Sequence, residues 1–159
     1  LGVKSRPHPM VELSATYWDL HLDSELVFIG DEGATEARGP SHRHGWELAA
    51  RVRPLTWLSF GGDATISRAR FDNGDEVPLA PRLTARGDVT VRFPWGLSAS
   101  VGVRYLADRY ATEDRQQTAR GYTLVDFTAR YRFEIAGIGV VHRVGPVGGR
   151  FRLGLGVRI

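Results

Sequence analysis

Hydrophobic and polar residues alternate along most of this chain. In GYTLVDFTARYRF, residues 121–133, apolar side chains fall at odd positions from Val125 onward, and mostly charged ones fall at even positions. A β-strand turns successive side chains to opposite faces, so this segment has one apolar side and one polar side. The same alternation recurs at 46–53, 58–67, 83–93, 97–105 and 150–159. It predicts an all-β fold, an antiparallel meander of about eight to nine strands.

The connections between these strands alternate between short and long. Short turns are predicted at 6–9, 53–56, 94–96 and about 134–137, and longer polar connections at 29–43, 71–82 and 107–121. Proline and glycine lie mainly in these connections. One end of the sheet is therefore expected to carry tight turns, and the other end to carry loops.

The alternation changes parity once, within residues 11–28. Apolar residues are odd up to Tyr17 and even from Trp18 to Phe28. A β-bulge at Tyr17–Trp18 would restore the apolar side to one face, because it adds one residue to the strand. The alternative is that the strand passes from membrane into solvent there and the rule lapses.

The pattern does not say which way the apolar face points. A soluble barrel buries that face, whereas an outer-membrane barrel turns it to lipid and keeps a polar lumen. Aromatic residues occur towards both strand ends, as in the interfacial girdles of membrane barrels. Those near short turns are Trp57, Phe93, Trp95 and Phe133, and those near long loops are Tyr105 and Tyr122. With the loop asymmetry, they favour part of a transmembrane β-barrel.

Composition narrows the possible classes of function. The 159 residues carry a net charge of +3 and no cysteine, which excludes disulfides and thiolate metal sites. No apolar run approaches the roughly 18 residues of a spanning helix. Arginines are spread at strand spacing among acidic residues, so nucleic acid is not an expected partner.

Several stretches resemble consecutive strands of one protein family. They are YWDLHLDSELVFIGDEG, SHRHGWELAARVRPLTWLSFGGDATISRARF, PLAPRLTARGDVTVRFPWGLSASVGVRYLADRYATED and GYTLVDFTARYRF. Together, over about residues 1–133, they resemble the C-terminal part of the barrel of TonB-dependent outer-membrane receptors. The resemblance implies a barrel of about 22 strands with an N-terminal plug, in the outer membrane of a Gram-negative cell. It also implies uptake of a nutrient such as an iron chelate (siderophore) or cobalamin, driven by the TonB complex.

The domain expected from this resemblance is a single C-terminal barrel segment, residues 1–159, without a plug domain. The sequence departs from the family's pattern after Phe133, where it reads EIAGIGVVHRVGPVGG, and it ends at Ile159 instead of an aromatic residue. The expected partners are outer-membrane lipid, a small nutrient ligand, and TonB acting through the missing plug. About nine strands of so large a barrel are expected to form an open curved sheet or a small, tight barrel.

No catalytic constellation is present in the sequence. There is no cysteine nucleophile, G-x-S-x-G elbow, H-E-x-x-H motif or P-loop, so we expect no enzyme activity and no cofactor. Ligand contact is expected from polar residues of one long loop and of the lumen below it, because guanidinium groups bind anionic chelates well. These residues are Arg104, Arg109, Asp114, Arg115 and Arg130.

A histidine pair is the weaker candidate for chemistry. His42 and His44 share one face of a strand and could bind a metal or an iron chelate at the outer mouth. Two histidines make an incomplete site, and Arg43 between them would repel a cation, so no metal site is expected. Two other functions stay open: a self-contained small outer-membrane barrel of structural or adhesive role, and a soluble ligand-binding β-barrel.

Overall fold

A computed structural model describes the backbone of residues 1–29, 34–135, 138–147 and 150–158, and the side chains of residues 1–27 and 35–132. The predicted girdle residue Phe133 and the terminal Ile159 lie outside the described side chains. No helix in this part of the chain has the length and apolar character needed to cross a membrane. The described strands are β1 (Gly2–His8), β2 (Val11–Leu22), β3 (Glu25–Ile29), β4 (Ala34–Arg38), β5 (Ser41–Leu55), β6 (Leu58–Phe71), β7 (Leu83–Arg92), β8 (Leu97–Leu106), β9 (Arg109–Tyr110), β10 (Thr118–Ala119), β11 (Tyr122–Ile135), β12 (Ile138–Val147) and β13 (Arg150–Arg158).

Nine of these strands form one antiparallel sheet, in the order β1-β2-β5-β6-β7-β8-β11-β12-β13. This confirms the predicted meander. The order begins with β1 and ends with β13, and over the described residues these two edges do not pair with each other. The sheet is therefore open, which was one of the two predicted forms. The hairpins β3-β4 and β9-β10 form separate small sheets within two of the long connections.

The register places the alternating residues on two distinct faces. Val89 pairs with Val101, and Val101 pairs with Phe127, so these apolar residues form one row across β7, β8 and β11. Their side chains are 38%, 46% and 48% exposed, respectively. Arg86 and Asp63, which also pair, lie on the opposite face. The apolar face is thus bare, whereas a soluble barrel would bury it.

The hydrophobic core of the described residues is small and lies at the loop end of the sheet. Its buried members are Val27, Ala69, Phe71 and Val77. They belong to β3, the end of β6 and the connection after β6. Hydrogen-bonded strand ladders, not a packed interior, therefore hold most of the sheet together, as in membrane barrels.

The predicted bulge at Tyr17–Trp18 is wrong. The pairing of β2 with β5 runs without a shift from Val11–Val52 to Leu22–Ser41. The alternative was that the alternation of apolar and polar residues stops where the strand leaves the membrane. This alternative agrees better with the structure. Beyond Tyr17 the β3-β4 hairpin and residues 72–82 cover the polar side of the wall. Apolar residues therefore turn to that side, and Phe71 joins the small core there.

Aromatic side chains of the apolar face cluster towards both ends of the strands. At the short-turn end, the ring centroids of Phe93 and Trp95 are 5.3 Å apart, and those of Trp95 and Tyr131 are 6.5 Å apart. At the loop end, Tyr17 and Trp46 pair across β2 and β5 with ring centroids 5.2 Å apart. These two belts match the interfacial girdles of membrane barrels.

One residue predicted for the loop-end belt lies on the other face. Tyr122 pairs with Leu106, and Leu106 pairs with Thr84, which is a residue of the polar face. Tyr105, one position earlier on β8, lies on the apolar face and is 42% exposed. Proximity to a long loop was therefore insufficient to place Tyr122, because the face depends on register.

Candidate ligand site at the loop end

The long connections at the loop end pack against one another. The connection after β6 runs back along that strand, where the Val77 amide donates to the carbonyl of Ala69 at 3.3 Å. The Leu79 amide then donates to the carbonyl of Tyr110 in β9 at 2.7 Å. These bonds hold residues 72–82 between the end of β6 and the β9-β10 loop.

Glu76 lies at the centre of this packing and is only 4% exposed. Its Oε1 accepts hydrogen bonds from Nη2 of Arg70 at 3.0 Å, of Arg82 at 3.1 Å and of Arg115 at 3.1 Å. Three guanidinium groups thus surround a single carboxylate. Their side chains are 37%, 50% and 46% exposed, so part of each remains open to solvent.

Tyr110 orders two of these arginines. The guanidinium carbon of Arg82 lies 5.0 Å from the centroid of the phenol ring, and that of Arg115 lies 5.9 Å from it. Both distances are within the range of cation–π attraction, which favours cations over an aromatic face. The two arginines are thus held by Glu76 and by the tyrosine ring together.

Opposing effects set the pKa of the Glu76 carboxyl. Burial raises this pKa, because the charged form loses hydration. The hydrogen bond from Arg70 and the charges of Arg82, Arg70 and Arg115 lower it, and together they prevail. The pKa of Glu76 therefore lies below its usual value, and the carboxylate is charged at neutral pH.

Three of the five predicted ligand contacts lie in the β9-β10 region. Arg115 belongs to the cluster around Glu76. Nη1 of Arg109 is buried and makes no hydrogen bond within the described residues. Asp114 accepts from the hydroxyl of Thr112 at 2.6 Å and from the amide of Gln116 at 3.1 Å, and both bonds lower the pKa of its carboxyl. Asp114 therefore shapes the loop that presents Arg115.

The other two predicted contacts lie on the polar face of the wall. Nη2 of Arg104 donates to Oδ2 of Asp126 at 2.9 Å. Arg130 lines a groove of about 390 Å³ over β7, β8 and β11. The remaining lining residues are Asp88, Thr90, Arg92, Ser98, Ser100, Gly102, Asp126 and Thr128. The structure therefore divides the five predicted residues into a loop group and a wall group.

Sequence reasoning missed four residues of this cluster: Arg70, Glu76, Arg82 and Tyr110. The available signal was an acidic residue directly before the apolar stretch VPLAP, because a charge beside such a stretch is expected to have buried partners. Arg70 and Arg82 lie six positions from Glu76, but Arg115 comes from another loop, 39 positions away. No spacing rule connects the two segments.

The histidine pair lies on one face of β5, at the end of a long connection, as the sequence predicts. His42 and His44 lie four and two positions before Trp46, respectively, and share its face of the strand. They therefore extend the apolar face beyond its aromatic belt and point away from the lumen. Contact with a metal or an iron chelate at the outer mouth, the weaker alternative from the sequence, stays a prediction.

Comparisons with known proteins agree with this architecture. The sequence model of the family described as "TonB dependent receptor-like, beta-barrel" matches residues 1–158, so the match continues past Phe133. No curated protein sequence matches the chain significantly. Several solved structures of outer-membrane receptors and transporters are similar in fold.

Three solved structures illustrate the similarity. The ferric preacinetobactin receptor BauA of Acinetobacter baumannii superposes with a TM-score of 0.71 at 16% identity, over 96% of this chain and 26% of that one. The copper transporter OprC superposes with a TM-score of 0.71 at 16% identity, over 91% of this chain and 24% of that one. The siderophore receptor PiuA of A. baumannii superposes with a TM-score of 0.63 at 17% identity, over 85% of this chain and 21% of that one. The chain thus spans about a quarter of the length of these proteins, and at these identities the likeness shows the fold.

Proposed function

Because the chain belongs to the TonB-dependent receptor-like β-barrel family, we propose that it forms part of the wall of an outer-membrane receptor that takes up an anionic nutrient, such as an iron chelate. The observation that carries this proposal is the bare apolar face, bounded by aromatic belts and backed by a polar face of paired charges. Such a wall is stable only with hydrocarbon on one side and water on the other. Its lipid environment is that of a Gram-negative outer membrane.

The arginines at the loop end support an anionic ligand. Arg70, Arg82 and Arg115 share one carboxylate, so the cluster has two positive charges in excess. A guanidinium offers a planar pair of donors that matches carboxylate and catecholate oxygens. Arg70 pairs with His42 and so projects from the outer side of β6. We therefore assign first contact to Arg82 and Arg115, which belong to the loops and are about half exposed.

The residues predicted from sequence extend this path. Nη1 of Arg109 is buried and has no hydrogen-bond partner in the described part of the chain, and an anionic group could satisfy it. Asp114 holds the loop in shape, and Arg104 and Arg130 line the polar wall that a ligand would pass next. Entry would be driven by the TonB complex through a plug domain outside these 159 residues.

Binding of two chelates of different charge tests this proposal. The full-length receptor in detergent is titrated with a ferric tris-catecholate, which is anionic, and with a ferric tris-hydroxamate, which is neutral. Arg82→Gln with Arg115→Gln removes two charged donors and keeps most of both side chains. We expect the double variant to bind the catecholate at least about 10-fold more weakly, because each charged hydrogen bond contributes about 1.5–3 kcal/mol.

The matched control for this experiment is Arg6→Gln. Arg6 lies at the short-turn end, is 63% exposed and pairs with Glu12 at 2.8 Å. Its loss should leave binding unchanged. Equal affinities of the wild type and the double variant for the catecholate, or tight binding of the hydroxamate alone, would contradict an anionic ligand at this cluster.

A further inference from the structure

Four side chains with metal-binding groups form a square on two neighbouring strands. Asp19 pairs with His44 and His21 pairs with His42 across β2 and β5. Residues two apart on a strand share a face, so all four side chains project from the same side. That side is the apolar face, in the two rows that follow the Tyr17–Trp46 pair. The square therefore lies outside the lumen and just beyond the aromatic belt.

The distances within the square suit a shared cation. Nε2 of His42 lies 3.0 Å from both carboxylate oxygens of Asp19, and the rings of His42 and His44 are 5.3 Å apart. One ligand atom from each of Asp19, His42 and His44 falls within 4.8 Å of the other two. Ligands of a tetrahedral zinc ion are about 3.3 Å apart, given metal–ligand bonds of about 2.0–2.1 Å. Small side-chain rotations would close the site.

The remaining contacts prepare these ligands for a metal. The hydroxyl of Tyr17 donates to Oδ2 of Asp19 at 3.3 Å, which orients the carboxylate as an outer-shell partner does. The imidazole of His44 makes no hydrogen bond within the described residues, and its Nδ1 is buried. The ring of His21 lies 6.4 Å from that of His42 and can supply a fourth ligand.

The sequence suggested that Arg43 would repel a cation at this site. In the structure, the nearby positive charges are paired or directed elsewhere. Arg43 points to the other face of β5, where it forms an ion pair with Glu25. Arg70, across from His42 on β6, is bound to Glu76. Arg68, across from His44, is exposed, and its long side chain can turn into solvent.

We propose that Asp19, His42 and His44, with His21 beside them, bind a zinc ion on the outer surface of the barrel. Two or three imidazoles and one carboxylate are a donor set that zinc prefers, and three protein ligands leave a position for water. The site does not lie on the path through the lumen, so the ion is a structural element and not cargo. This inference does not depend on which nutrient is transported.

A bound ion would clamp the base of the β3-β4 hairpin. The β3-β4 hairpin lies in the chain between Leu22, at the end of β2, and Ser41, at the start of β5. The proposed site joins β2 to β5 next to these two residues. Closing this loop with a metal limits its opening and adds a cross-link that the unfolded chain lacks. Zinc should therefore protect the hairpin from proteases.

Zinc titration of the full-length receptor tests the proposal. The purified protein in detergent is titrated with zinc chloride by calorimetry, and cleavage within residues 23–40 is followed by limited proteolysis. We expect the wild type to bind one more equivalent of zinc than the double variant that carries His42→Asn and His44→Asn. We also expect zinc to slow the cleavage in the wild type alone.

Two further variants separate the site from general effects. Asp19→Asn keeps the shape of the side chain and should weaken zinc binding about 10-fold, even if the double variant folds poorly. His8→Asn removes a histidine at the short-turn end and should leave the stoichiometry unchanged. Equal zinc stoichiometry and affinity in the wild type, the double variant and Asp19→Asn would overturn the proposal.

Discussion

Replacing Phe127 by arginine is expected to destabilise the barrel by about 2–4 kcal/mol, because a guanidinium in the middle of the lipid-facing band must leave water. Phe127 is central in β11, pairs with Val101 and is 48% exposed on the bare face. The expected change is read from urea unfolding of the full-length receptor in lipid vesicles, followed by tryptophan fluorescence.

The control is the same substitution one residue further along β11. Thr128 lies on the opposite face and lines the polar groove with Asp88 and Asp126. An arginine there meets water and carboxylates, so Thr128→Arg should cost less than about 1 kcal/mol. A larger loss of stability in Thr128→Arg than in Phe127→Arg would show that Thr128, and not Phe127, faces lipid. That result would refute the assignment of the apolar face to the lipid side.

Replacing Glu76 by glutamine is expected to loosen the loop end of the barrel by about 2–3 kcal/mol. The substitution keeps the shape of the side chain but leaves three arginines without their shared counter-ion. This loss is smaller than the about 3–5 kcal/mol typical of fully buried pairs, because these arginines are partly exposed. Hydrogen exchange of the amides in residues 76–80 and 110–116 should accelerate about 30-fold or more, which corresponds to this loss at about 1.4 kcal/mol per factor of ten.

Acid should reproduce this effect in the wild type. The pKa of Glu76 lies below the value of the same carboxyl in the unfolded chain. The stability that the charged carboxylate contributes is therefore fully present above the unfolded pKa. It is lost as the pH falls through the lower, folded pKa. Protection of the amides in residues 76–80 should decrease in that acidic range in the wild type. The decrease should be smaller in Glu76→Gln, in which Asp114, whose pKa is also lowered, still titrates.

Glu12→Gln is the control for both measurements. Glu12 also bonds an arginine, Arg6, but this pair is exposed and lies at the short-turn end. An exposed pair contributes at most about 1 kcal/mol, and its loss should leave the loop amides unaffected. Unchanged exchange in Glu76→Gln would show that Glu76 does not organise the loops.

The strands and their two faces could be predicted from the sequence because alternation with a period of two is a local property. Val101 and Phe127 fall on one face by parity alone, and the register then brings them together. The parity change at Tyr17–Trp18 was misread because its cause is not local. It arises where folded loops cover the polar side of the wall.

The sites were less predictable because they depend on which distant residues meet. Arg115 was identified as a ligand contact, but its partner Glu76 comes from another loop. His42 and His44 were identified as a pair, but Asp19 and His21 join them only through the pairing of β2 with β5. That register fixes the face of the histidines as well, and sequence spacing alone leaves it open.

The orientation of the two faces is tested most directly by scanning residues 98–103 of β8 with single cysteines. The 159 residues contain no cysteine, so each introduced thiol is unique within this segment. Any cysteine elsewhere in the full-length receptor is first replaced by serine, and each introduced thiol in the reconstituted protein then carries a fluorophore. Brominated lipid should quench the label at 99, 101 and 103, and aqueous iodide should quench it at 98, 100 and 102. Iodide quenching at the odd positions with no response to brominated lipid would contradict a lipid-facing apolar side.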